Sequence, residues 1–97
     1  CPYCDLMESE TFRDSPTMSS LNEIALLAKI DGERRRDLSR LYLVHGFPTT
    51  WLIDEKGSRI GQIPGYISRK DFQSLLTYLK GRHYRSLSIK EYMAKRP

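Results

Sequence analysis

Two cysteines separated by two residues open the chain as Cys1-Pro2-Tyr3-Cys4, and they are the only cysteines among its 97 residues. A thiolate is the nucleophile that attacks a disulfide sulfur, and a second thiol nearby can release the mixed disulfide that results. The spacing suits a pair on the first turn of a helix, where unpaired backbone N–H groups and the positive end of the helix dipole favour a thiolate. Pro2 belongs there too, because its missing N–H costs nothing at a helix start. Cys1 is then the exposed attacking thiol, and Cys4, further into the helix, is the resolving thiol. A small disulfide-stapled scaffold would normally use about four or more cysteines. One close pair reads instead as a redox couple or as half of a metal site. A structural zinc site takes four ligands. The remaining candidates, His45 and His83, lie 38 residues apart with no paired spacing of their own, and each reads as an ordinary surface or loop residue.

The elements that must carry such a pair can be read from periodicity and punctuation. Leu6, Met7 and Phe12 imply a helix starting within the CPYC motif, broken by Asp14-Ser15-Pro16. Ser15 is expected to cap a second helical stretch with Pro16 at its first position and Met18 and Leu21 on one face. The apolar run Ile24–Ile30 suits a strand covered on both faces and ended by Asp31 and Gly32. Glu33–Leu43 reads as a helix with Leu38, Leu41 and Tyr42 on one side. Thr49–Ile53 is β-branched and aromatic, Asp54–Gly57 is a hairpin connection, and Ser58–Ile63 is its second strand. Ser68 then caps a helix with Phe72, Leu75, Leu76 and Leu79 facing one way and Gly81 at its end. Residues 82–97 read as a basic tail with a short helix from Ser88 to Ala94, from which Tyr92 and Met93 pack on the domain made by residues 1–81. Helices alternating with strands point to an α/β or α+β architecture.

Composition narrows the function classes. An apolar fraction of 39% and a charged fraction of 29% describe an ordinary soluble globular chain, and no apolar run has the length of a membrane span. The net charge of +4 is unevenly spread, at −4 over residues 1–55 and +8 over residues 56–97. A basic half can attract nucleic acid, an anionic surface or an acidic protein, but nothing here interleaves aromatic and basic residues as a single-strand binding surface does. The densest run, Arg34-Arg35-Arg36, sits between Glu33 and Asp37, where local charge pairing accounts for it.

A second constellation joins the first. Cys1-Pro2-Tyr3-Cys4, then Gly46-Phe47-Pro48-Thr49-Thr50-Trp51-Leu52-Ile53-Asp54, then Gly57, then Gly61-Gln62-Ile63-Pro64-Gly65-Tyr66 resembles the thioredoxin superfamily, through nearly the whole chain to about Gly81. The closer likeness is to bacterial thioredoxin-related proteins, including the periplasmic kind associated with sulfur oxidation. It rests on the CPYC-like motif, the Asp14-Ser15-Pro16 break and the Ile63–Tyr66 ending. CPYC also occurs in glutaredoxins, but the long Phe47–Asp54 strand segment is thioredoxin-like and no double-glycine glutathione-binding segment is present. The resemblance implies a thiol–disulfide oxidoreductase that reduces protein disulfides, with Cys1 and Cys4 as the catalytic pair. It implies a cis peptide bond at Pro48, leaving the Phe47 backbone free to pair with an extended substrate, with Tyr3 and Tyr66 shaping the same groove. No metal and no dissociable cofactor are implied, because the cysteines carry the electrons. The partners implied are protein disulfides and an upstream redox protein. One departure stands out: Asp5 follows Cys4 where thioredoxins usually carry a lysine, and a carboxylate there opposes thiolate formation.

The same resemblance sets expectations about what lies outside the motifs. The expected fold is an α/β thioredoxin-like sandwich lacking its first strand, its first helix and the strand before CxxC, as in a chain whose beginning has been removed. That last strand would lie between Ile24–Ile30 and Thr49–Ile53, whose backbone groups would otherwise face a gap; a strand-swapped oligomer is one way to fill it. The expected compartment is the periplasm, with the cytoplasm as the alternative. Two other readings of the groove stay open: a non-catalytic binding or scaffold module, and a glutaredoxin-like role with glutathione or a bridged iron–sulfur cluster.

Overall fold

Cys1 offers a side-chain acceptor and Pro2 needs no donor partner, so the chain turns helical at once. In the computed structural model, which describes residues 1–96, helix α1 spans Pro2–Ser9 with Cys1 as its N-cap. A 3₁₀ turn at Thr11–Arg13 follows, and then α2 at Ser15–Ile24. The cap of α2 is Asp14 rather than the expected Ser15. Asp14 Oδ2 accepts both the Thr17 N–H at 3.2 Å and the Thr17 hydroxyl at 2.6 Å, a double role that the Ser15 hydroxyl, one residue inside the helix, does not fill. Pro16 still falls in the first turn.

The expected strand at Ile24–Ile30 does not form. Helix α2 runs on to Ile24, and residues 25–31 lie outside any helix or sheet. A strand exists through its hydrogen-bond ladder, and among the described residues no strand lies beside this segment. Leu26 is accordingly fully exposed and Ile30 is 56% exposed. Lys29 holds the segment to the preceding helices, with Nζ 2.8 Å from a Glu8 carboxylate oxygen and 5.1 Å from the Phe12 ring centroid.

Helix α3 is shorter than the expected Glu33–Leu43 and spans Arg36–Leu41. The Asp31 carboxylate captures the backbone N–H groups of Glu33 and Arg34 at 3.1 and 3.3 Å, making a local turn that competes with a helix start. At the other end Leu43 adopts a left-handed conformation, φ 53°. Two of the three arginines in the run are paired locally, Arg34 on Asp31 at 3.6 Å and Arg35 on Asp37 at 3.0 Å.

Strands β1 (Thr49–Ile53) and β2 (Arg59–Pro64) form one antiparallel hairpin, with Thr49 opposite Pro64 and a bulge between Leu52 and Ile53. β2 is offset by one residue from the expected Ser58–Ile63. Ser58 belongs to the turn, since its N–H donates to Asp54 Oδ1 at 2.8 Å and its carbonyl accepts the Asp54 N–H at 2.9 Å. Gly57, at φ 83°, closes that turn in a conformation that favours glycine.

Helix α4 (Arg69–Lys80) is capped by Ser68, which accepts the Asp71 N–H, and ends at Gly81. The chain then passes through a 3₁₀ turn at His83–Arg85 into α5 (Ile89–Lys95), closed at its start by a reciprocal Ser88–Glu91 capping box. This segment lies against α4 and the hairpin. The buried Tyr78 donates its hydroxyl to the Leu87 carbonyl at 2.6 Å, Arg96 meets Asp71 at 2.7 Å, and Ile89 lies so close over Gly61 that an added Cβ there would be 2.9 Å from it. α4 therefore buries Tyr78 as well as Phe72, Leu75 and Leu76, while Leu79 is only half-buried. The last residue of the 82–97 tail, Pro97, lies outside the described residues.

The core gathers Met7 of α1, Leu21 of α2, Ile67, and Phe72, Leu75 and Leu76 of α4, with Phe12, Leu52, Ile63, Ile89 and Met93 against it. Five α-helices and one two-stranded antiparallel sheet among the described residues make a mixed α/β architecture. None of these helices is long and apolar enough to cross a membrane. Because Leu75 is 3% exposed and Leu26 is fully exposed, Leu75→Ala should destabilise the domain by about 2–5 kcal/mol and Leu26→Ala by less than about 0.5 kcal/mol. Urea denaturation of the two variants checks this contrast.

Candidate active site

The two cysteines are joined as a disulfide, with S–S 2.01 Å and Cα atoms 5.2 Å apart. Cys1 is exposed and Cys4 half-buried. The Cys4 N–H points at the Cys1 sulfur at 3.3 Å, and the Asp5 N–H bonds the Cys1 carbonyl at 3.1 Å. The Cys1 sulfur thus sits at the positive end of α1, in reach of an N–H with no partner inside the helix, an environment that stabilises a thiolate once the bond is reduced. Asp5 stands on the same first turn. Its charge is favoured by the helix dipole yet repels a thiolate on its neighbour, so the two influences on Cys1 oppose one another.

Around the pair, the structure brings the rings of Tyr3 and Tyr66 together, while the Phe47 ring packs elsewhere. Tyr3, 61% exposed between the cysteines, faces Tyr66 with ring centroids 6.3 Å apart at 38°. The Tyr66 hydroxyl donates to Glu10 Oε2 at 3.0 Å. Burial of the ring, and then this carboxylate, push the phenol above its ordinary pKa. One residue earlier, Gly65 sits at φ 91°, a conformation that favours glycine, and donates its N–H to the Pro48 carbonyl at 2.8 Å. The Phe47–Pro48 peptide is cis. The Phe47 ring does not join the tyrosines. It lies over Gly32, where an added Cβ would collide with it and with the Ser39 hydroxyl, and that hydroxyl donates to the Gly32 carbonyl at 2.9 Å.

Three residues matter here that the sequence pattern did not single out. Gly32 was legible only as the end of an apolar run, yet it is the seat of the Phe47 ring. Glu10 carried no signal beyond one more acidic residue in an acidic half. Thr11, fully buried, donates its hydroxyl to the Ile67 carbonyl at 2.6 Å; a polar residue between Glu10 and Phe12 gives no sign of burial in sequence. His45 is exposed, and the His83 ring packs on Tyr92 with centroids 5.1 Å apart. Among the described residues no cluster of His, Cys, Asp and Glu is gathered to hold a metal ion.

Beside Tyr66 opens a polar cleft of about 400 Å³ bordered by Glu10, Asp14, Arg69 and Lys70. Asp14 is held below its ordinary pKa first by the Thr17 hydroxyl, then by the Thr17 N–H and by Arg69 at 3.4 Å, with burial acting the other way.

The family model for the thioredoxin-like domain matches residues 1–80. No curated protein and no solved structure matches the chain.

Because the folded pKa of Asp14 is depressed, its stabilising contribution is complete above the unfolded value of about 3.9. It is lost as pH falls through the lower folded value. Asp37, Glu55 and Glu91 are depressed as well and add to the same slope. Stability should therefore hold at neutral pH and fall below about pH 4. Asp14→Asn, which keeps a capping oxygen but no titrating group, should flatten part of that fall. Urea unfolding of both proteins across a pH series measures the difference.

Proposed function

From the premise that the chain belongs to the thioredoxin-like domain family, as its match over residues 1–80 shows, we propose that it is a thiol–disulfide oxidoreductase that reduces protein disulfides through Cys1 and Cys4. The observation that carries this reading is the Cys1–Cys4 disulfide at the N-terminus of α1. A disulfide-forming pair within a thioredoxin-like domain supports an oxidoreductase-type function.

In the reduced protein the Cys1 thiolate attacks one sulfur of a substrate disulfide. That S–S bond breaks, a Cys1–substrate mixed disulfide forms, and the departing substrate sulfur leaves as a thiolate that takes a proton from water. Cys4, deprotonated, then attacks the Cys1 sulfur, re-forms the intramolecular disulfide and expels the second substrate thiolate. Two electrons pass to the substrate, and a dithiol protein or small dithiol must return two electrons to the pair. The exposure of Cys1 against the half-burial of Cys4 supports this division of roles. The Phe47–Pro48 backbone is the strip along which an extended substrate segment pairs, with Tyr3 and Tyr66 at its side. The likeness to the sulfur-oxidation-associated kind extends the proposal to a periplasmic setting.

Equilibration with glutathione mixtures, read by the mass shift of alkylated thiols, tests the couple. A reversible two-electron couple near about −270 mV is expected for a reductase, whereas one near about −120 mV would make the protein an oxidant. No reversible couple would end the enzyme reading. Cys4→Ser should accumulate a mixed disulfide with a peptide substrate, and Cys1→Ser should form none.

A further inference from the structure

Helix α1 carries the disulfide at one end and Glu10, its C-cap, at the other. Tyr66 spans this separation, with its ring against Tyr3 and its hydroxyl on Glu10. The segment that holds Tyr66 is itself fixed on both sides, by Gly65 to the Pro48 carbonyl at 2.8 Å and by the buried Thr11 hydroxyl to the Ile67 carbonyl at 2.6 Å. Backbone position at residue 66 is thus determined without Glu10. What those bonds leave open is the side chain. A half-buried tyrosine ring can leave its neighbour by rotation about χ1, and the bond to the Glu10 carboxylate at 3.0 Å is the charged contact of its hydroxyl, beside the neutral Thr11 hydroxyl. A hydrogen bond to a charged acceptor is stronger than one between neutral groups.

We propose that Glu10 is a positioning residue for substrate selection: through the Tyr66 hydroxyl it holds the Tyr66 ring beside Tyr3, making an aromatic platform next to Cys1–Cys4 that takes an apolar or aromatic side chain flanking the substrate disulfide. The chemistry of the two rings sets that substrate class, since exposed aromatic faces gain by covering apolar or aromatic groups. This rests on the oxidoreductase reading above. Glu10 touches neither sulfur nor substrate in this scheme, and its effect passes entirely through Tyr66.

The test compares the wild type with Glu10→Ala, Glu10→Gln, Tyr66→Phe and the Glu10→Ala/Tyr66→Phe double variant. Two substrates are used: a peptide with an intrachain disulfide flanked by phenylalanine, and bis(2-hydroxyethyl) disulfide, with dithiothreitol as reductant. Glu10→Ala and Tyr66→Phe should each lower the peptide-to-small-disulfide ratio of kcat/KM by about threefold to tenfold. The loss should fall on the peptide KM, and the Cys1–Cys4 potential should not move. Glu10→Gln keeps an acceptor oxygen and should restore most of the ratio. The double variant should lose no more than either single one, because both remove the same bond. An unchanged ratio in Glu10→Ala, additive losses in the double variant, or equal loss on both substrates would overturn the positioning role. A wild type that reduces neither disulfide would instead overturn the oxidoreductase reading, and the positioning role with it.

Discussion

Helix α4 has an apolar face of Phe72, Leu75 and Leu76 that no short chain can leave in water, and covering it places almost everything else. Met7 from α1 and Leu21 from α2 are buried against that face, and Phe12 meets Phe72 edge-on at 5.5 Å. Full burial of a single large apolar side chain is worth about 1.5–3 kcal/mol, so the packing of these few residues outweighs the scattered surface ion pairs, whose usual worth is below about 1 kcal/mol. The consequence for chemistry is direct. Once Met7 is committed to the core, the orientation of α1 is set, and with it the exposure of Cys1 one end away.

Polar bonds then refine what apolar burial has placed coarsely. Among the described residues Thr11 and Thr17 are the buried polar ones, and each has its hydroxyl satisfied, Thr11 by the Ile67 carbonyl and Thr17 by Asp14 and Gln73. A buried hydroxyl without a partner costs about 1–3 kcal/mol, so these bonds work as registers: the wrong alignment of α1 or α2 on α4 would strand them. The Thr11–Ile67 bond is the more consequential, because it ties the turn after the cysteine helix to the segment carrying Gly65 and Tyr66. Through Gly65 that segment reaches the Pro48 carbonyl. Two sequence-distant motifs thereby share one framework.

The sequence-legible part of the fold is the part governed by local rules. The hairpin was readable because Asp54-Glu55-Lys56-Gly57 is turn chemistry between two β-prone runs, and α4 because Ser68 caps a run of correctly spaced apolar residues. The structure departs from that pattern where the availability of a hydrogen-bond partner, distant or adjacent, decides. Ile24–Ile30 has the composition of a buried strand, but composition supplies no hydrogen-bond partner, and the segment remains outside the sheet. Helix α3 starts later than its periodicity predicts because the Asp31 carboxylate takes the Glu33 and Arg34 N–H groups, a use that periodicity does not register.

By itself the sequence determined the disulfide-forming pair and its local environment: a CxxC at a proline-assisted helix start needs only the geometry of one helical turn, because both sulfurs and the N–H that points at one of them lie within four residues. It also determined the hairpin and the apolar stripe of α4, for the same reason of short range. Only the tertiary structure decided which groups stand beside that pair. Tyr66 meets Tyr3, Glu10 meets Tyr66 across 56 residues of chain, and the Phe47 ring goes to Gly32 instead. Those outcomes depend on how α1 and the hairpin are laid against α4, and that is a property of the packed core, since no single segment contains both partners of any of these contacts.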